Sequence, residues 1–120
     1  MTKEDIIAMN PGGKLDYWVD IYIFKQRTPN TKRYSTDWGA MGEVVEKMVE
    51  LGYHYNLNLL HNIKHPEPVR HACFSKISIN YTGDPLYAIQ NDFIHYHARC
   101  KTAPEATVKA SLLAIMELEG

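Results

Sequence analysis

Cysteine is scarce in this chain. Cys73 and Cys100 are the only two among 120 residues, and no CxxC is present. That excludes a disulfide framework and suits a reducing cytoplasm. Long apolar runs are also missing. The longest, such as LLAIM at 112–116, are far too short to span a bilayer. The opening MTKEDIIAMNPGG lacks the apolar stretch of a secretory leader. Charge of one sign is not in excess either. The formal net charge is −1, so no global field holds nucleic acid or an anionic membrane. GxSxG, P-loop, HExxH and GxGxxG signatures are all absent, as are internal repeats and low-complexity tracts.

What is present is a globular composition. Hydrophobic residues make up 45% and charged residues 22%. The length fits one domain over residues 1–120, with a modest core that needs no staples.

Local signals divide the chain into elements. Thr2 with Asp5 three residues on predicts a short capped helix, which NPGG then breaks. Residues 14–24, KLDYWVDIYIF, fit two patterns. Helical spacing groups Leu15, Trp18, Val19 and Tyr22, with Asp16 and Asp20 opposite. Strand alternation groups Leu15, Tyr17, Val19, Ile21 and Ile23, and the β-branched and aromatic content favours it. A basic loop, KQRTPNTKRY, follows at 25–34. Ser35 or Thr36 then caps a helix with Asp37 in its first turn, an apolar stripe at Trp38, Met41, Val45, Met48 and Val49, and a stop at Gly52.

Alternation marks three strands. In YHYNLNLL, Tyr53, Tyr55, Leu57 and Leu59 share one face, while His54, Asn56 and Asn58 share the other. HNIKHPEP reads as a connector broken by Pro66 and Pro68. VRHACFSKISIN is the second strand, and TGDP turns the chain, with Asp84-Pro85 able to cap one helical turn. In FIHYHARCK, Ile94, Tyr96, Ala98 and Cys100 face inward, leaving Phe93, His95, His97, Arg99 and Lys101 on the other side. Thr102 and Glu105 form a capping box with Pro104 in the first turn of a closing helix, whose small alanines permit close approach to a sheet.

Three stretches, in order, resemble the phage ABA sandwich family, named for its helix-sheet-helix layering: MTKEDIIAMNPGGKLDYWV, YSTDWGAMGEVVEKM and TAPEATVKASLLAI. They cover about half of the chain. The resemblance implies a phage or prophage protein of α+β class, with a small antiparallel sheet of about three strands sandwiched between helices. It also tips residues 14–24 toward helix. Gly39 and Gly42 depart from the family's alanines in the YSTD helix. The family supplies no catalytic residues to carry over.

Three constellations bear on function. His95 and His97, two apart on a strand, point the same way and can share a metal. A zinc site needs a third ligand and usually a fourth, from His54, His71 or Asp92. No ligand motif specifies one, so no metal and no cofactor is assigned. The polar face of His54, Asn56, Asn58, His95, His97, Arg99 and Lys101 suits a small anionic ligand, because Asn reads base edges and Arg pairs phosphate. The segment KRYSTDW adds Arg33 before a helix start, with Tyr34 and Trp38 placed to stack on a base. The expected ligand-binding residues are therefore Arg33, Tyr34, Trp38, His54, Asn56, His95, His97 and Arg99, with no catalytic residue.

The expected function is a non-enzymatic phage accessory protein in the host cytoplasm that binds a nucleotide-like anion. In its sharpest form it is an anti-defence sponge for a host immune signal. A homo-oligomer would build composite pockets. Membrane binding is not expected, and nucleic-acid binding is disfavoured. The alternatives are a protein–protein interaction module that inhibits a host factor or joins phage assembly, and a metal-dependent hydrolase using His95 and His97.

Overall fold

A computed structural model describes residues 2–26, 32–62, 65–77 and 93–119, with side chains placed over 2–26, 32–59, 69–75 and 96–116. Its elements run α1 (Lys3–Ala8), α2 (Gly13–Tyr22), α3 (Trp38–Glu50), β1 (His54–Asn62), β2 (His65–Ile77), β3 (Phe93–Cys100) and α4 (Ala103–Glu119). The fold is α+β, a three-stranded antiparallel sheet of order β1-β2-β3 with helices packed against it. The Asp84-Pro85 turn lies outside the described residues.

The helix caps follow local chemistry. At α1 the capping box closes both ways: the Asp5 N–H donates to Thr2 Oγ1 at 3.2 Å, and the Thr2 N–H to the Asp5 carboxylate at 2.8 Å. Residues 13–22 are helical, against their β-rich composition. Tertiary burial decides it, because one helical face delivers Leu15, Asp16, Val19 and Asp20 to the interior together. Gly12 precedes this helix at φ 145°, a backbone state that side chains disfavour.

The start of α3 differs from expectation. Asp37, not Ser35 or Thr36, is the N-cap, and its carboxylate accepts from the Ala40 N–H at 3.0 Å. Ser35 is withdrawn into the interior by α2. The buried face is also rotated, to Ala40, Met41, Val44 and Met48, leaving Trp38 and Val49 exposed. Gly39 and Gly42 lie off that face. Gly52 at φ 97° ends the helix. Its N–H bonds to the Val49 carbonyl, and the next N–H, of Tyr53, bonds back to Met48.

Pro66 and Pro68 fall inside β2 and do not break a connector. The reason is register: β3 reaches only as far as Arg70, so residues before it have β1 on one side and need no N–H for a third strand.

The core is one cluster. Ala72 and Phe74 from β2 and Ala98 from β3 join Ile6, Leu15, Val19, Val44 and Met48 from the other helices around α4. From Ala103 to Ile115 every α4 residue except Glu105 is buried. The closing helix is thus the middle layer, with the sheet on one side and α1, α2 and α3 packed on the rest of its surface. Its alanines permit that approach from several directions. The described helices gather on the Ala72–Phe74–Ala98 side, while the opposite face carries exposed His54, Asn56, Asn58, His97 and Arg99.

Candidate functional site

Antiparallel register aligns that polar face in rows. Asn58, His71 and Arg99 lie opposite one another across the three strands, as do Asn56, Cys73 and His97. The third row is His54, Ser75 and the backbone of His95; the His95 side chain lies outside the described residues. The structure therefore brings His54, Asn56, His97 and Arg99 onto one surface, as the alternation indicated. It adds His71, whose ring meets that of His97 edge to face at 5.3 Å. Burial, then the nearby His97 and Arg99, hold the His71 pKa below its ordinary 6.5. Among the described residues its Nε2 is buried without a hydrogen-bond partner. No group of three His, Cys, Asp or Glu suited to a metal occurs among the described residues.

The KRYSTDW residues are placed elsewhere. Tyr34 is 1% exposed, so it cannot stack on a ligand from where it sits. Its hydroxyl donates to Asp20 at 2.8 Å, and its ring stacks on Phe24 with centroids 5.3 Å apart. The cause is α2, which turns Asp16 and Asp20 inward where a charge pattern would put them in water. They capture the Ser35 N–H and the Tyr34 hydroxyl. Arg33 and Trp38 are exposed. Trp38 opens α3, a helix of 13 residues and about 20 Å. It lies at the end remote from the turn into β1, so it is not gathered with His54.

A cleft of about 820 Å³ runs along β3. His97, Arg99 and Lys101 contribute from the strand and its end, Ile7, Asn10 and Pro11 from the α1–α2 junction, and Glu105 and Lys109 from α4. Two expected site residues, His97 and Arg99, thus belong to it. Its wall at Ala98 and Cys100 comes from the inward side of the same strand, so the cleft wraps the sheet edge. Among the described residues no strand pairs with that edge.

Ile7, Asn10, Pro11, Lys101, Glu105 and Lys109 were not among the expected site residues, and Lys109 with Glu105 is the pair least open to sequence reasoning. The Lys109 ammonium donates to Glu105 at 2.8 Å and to the Ile7 carbonyl at 2.8 Å, with the lysine side chain only 6% exposed. The available signals were the i,i+4 spacing and a lone cation inside the apolar run TVKASLLAI. Beside them, burial and the Glu105 carboxylate push the Cys100 thiol up to about 12. Little thiolate therefore forms there near neutrality. The cleft therefore offers cations, a carboxylate, an imidazole, an amide and apolar walls.

No family model matches the chain, and no curated protein and no solved structure does either. No helix among the described residues is long and apolar enough to cross a membrane.

Proposed function

We propose that this protein binds a small anionic, nucleotide-like ligand without chemically transforming it, and that the β3 cleft is where it binds. The observation that carries the reading is the meeting of Arg99, Lys101 and Lys109 around one cleft with a single carboxylate, Glu105. Cations grip phosphate, His97 and Asn10 supply hydrogen bonds, and Ile7 and Pro11 present apolar surface. A volume of about 820 Å³ is in the range of small-molecule sites. In its most specific form the reading is a phage accessory protein that sequesters a host nucleotide immune signal, as a homo-oligomer. That form rests on the sequence resemblance. Sequestration needs affinity and no reaction, which agrees with a protonated thiol in the cleft.

Calorimetry and size exclusion with cyclic, ADP-ribose-type and simple mononucleotides test it. Binding that is weakened at least about tenfold by Arg99→Ala with Lys101→Ala is expected, since each charge-assisted contact contributes about 1.5–3 kcal/mol. Failure of every member to bind removes the proposal.

A second reading, an interaction module for a host or phage protein, is favoured by the unpaired edge of β3 among the described residues and by exposed Ile7 and Leu59. It predicts capture of a partner from host lysate and no response to nucleotides.

A further inference from the structure

A lysine held in the protein interior calls for a reason. Lysine is seldom fully buried unless it is paired, and a buried ion pair is seldom more stable than apolar residues of the same shape. Lys109 sits on a helix whose other residues from Ala106 to Ile115 are buried and carry no charge. It nonetheless lines the β3 cleft, as do both partners of its ammonium, Glu105 and Ile7. Two of its three N–H donors are committed, one to Glu105 and one to the Ile7 carbonyl. Those two bonds leave one donor uncommitted among the described residues.

The charges around it define what fits. Arg99, Lys101 and Lys109 are positive and Glu105 is negative, which leaves two net positive charges on the lining. A singly charged phosphodiester under-fills that field. A terminal phosphomonoester, which carries about −1.5 to −2 at neutral pH and three acceptor oxygens, matches it.

Resting on the anion-cleft reading, we infer that Lys109 is the floor anchor of the cleft, that it takes a terminal phosphomonoester together with Arg99 and Lys101, and that Glu105 holds it in place when the cleft is empty and competes with the ligand for it. The competition sets selectivity. A dianion outbids one carboxylate for the ammonium, whereas a monoanion meets a pair that is already neutral. Glu105 is thus a positioning residue with a penalty attached, and its removal should strengthen binding. A purely structural ion pair would behave in the opposite way.

The test is calorimetry of the full chain with adenosine 5′-monophosphate and with 3′,5′-cyclic adenosine monophosphate. The wild type is expected to bind the monoester at least about tenfold more tightly than the cyclic diester, the size of one charge-assisted hydrogen bond. Glu105→Gln keeps the Lys109 contact to Ile7 and is expected to tighten the monoester by about tenfold. Lys109→Gln is expected to lose monoester binding. Because it also removes the hydrogen bond from α4 to the Ile7 carbonyl of α1, its thermal unfolding is recorded alongside, and Glu105→Gln carries the decision if it does not fold. Monoester binding that Glu105→Gln leaves unchanged or weakens overturns the role of Lys109, while the anion-cleft reading stands. Equal affinity for the two nucleotides overturns the monoester class. No binding of either nucleotide by wild type or Glu105→Gln overturns both this inference and the reading beneath it.

Discussion

The Tyr34 hydroxyl donates to the Asp20 carboxylate across 2.8 Å, with both residues inside the protein. One turn earlier on α2, Asp16 accepts the Ser35 N–H at 2.8 Å, and Ser35 Oγ in turn accepts the Gly12 N–H at 2.8 Å. Carboxylates at i and i+4 thus hold two consecutive residues of the approach to α3. This clamp explains why Tyr34 and Ser35 are interior structure, while Thr36 and Asp37 stay exposed and Asp37 caps α3.

Tyr34→Phe should therefore destabilise the fold by about 1–3 kcal/mol, because it removes a donor from a buried carboxylate. Urea unfolding reads this as a lower midpoint at unchanged slope. Affinity for nucleotides in the β3 cleft should not move. A wild-type midpoint would show that the bond contributes nothing net.

His71 links stability to pH. Its folded pKa lies below the ordinary 6.5, because burial, His97 and Arg99 all disfavour its charged form. As pH falls, the unfolded chain takes the proton first, so stability is full above about 6.5 and declines below it. Unfolding midpoints at about pH 7 and about pH 5 should show this loss, and His71→Gln should shrink it. An unchanged pH slope in the variant would place the titration elsewhere.

Cys100 should be slow to alkylate. With its thiol pushed up to about 12, very little thiolate exists near neutrality. Iodoacetamide should label it far more slowly in the native protein than in urea, as followed by mass spectrometry. Glu105→Gln should quicken native labelling, because the carboxylate is the second cause of the raised value. Equal labelling rates in the folded and unfolded states would contradict the burial of this thiol.

Much of the fold was legible because its signals are local. Thr2 and Asp5 cap α1 within four residues of chain. Alternation in YHYNLNLL and FIHYHARC assigned His54, Asn56, Asn58, His97 and Arg99 to one face correctly, since a strand's two-residue period settles which side chains share a side. Residues 14–24 were less legible, because Tyr17, Trp18, Ile21 and Ile23 carry strand propensity while their spacing allows a helix. Asp16 and Asp20 were misread for the same reason that Lys109 was missed. Charge in a sequence points to water, and only a partner from a distant segment reverses that expectation.

The sequence by itself determined the α+β class, the three strands, their polar and apolar sides, and the start of α1, because each rests on neighbours a few residues apart. Tertiary structure alone decided that α4 is the middle layer, that Tyr34 belongs to the core, and that Arg99, Lys101, Glu105 and Lys109 surround one cleft. Those outcomes depend on contacts such as Lys109 with Ile7, 102 residues apart. Such a contact forms only when burial of the common core brings the two segments together, and no local pattern records it.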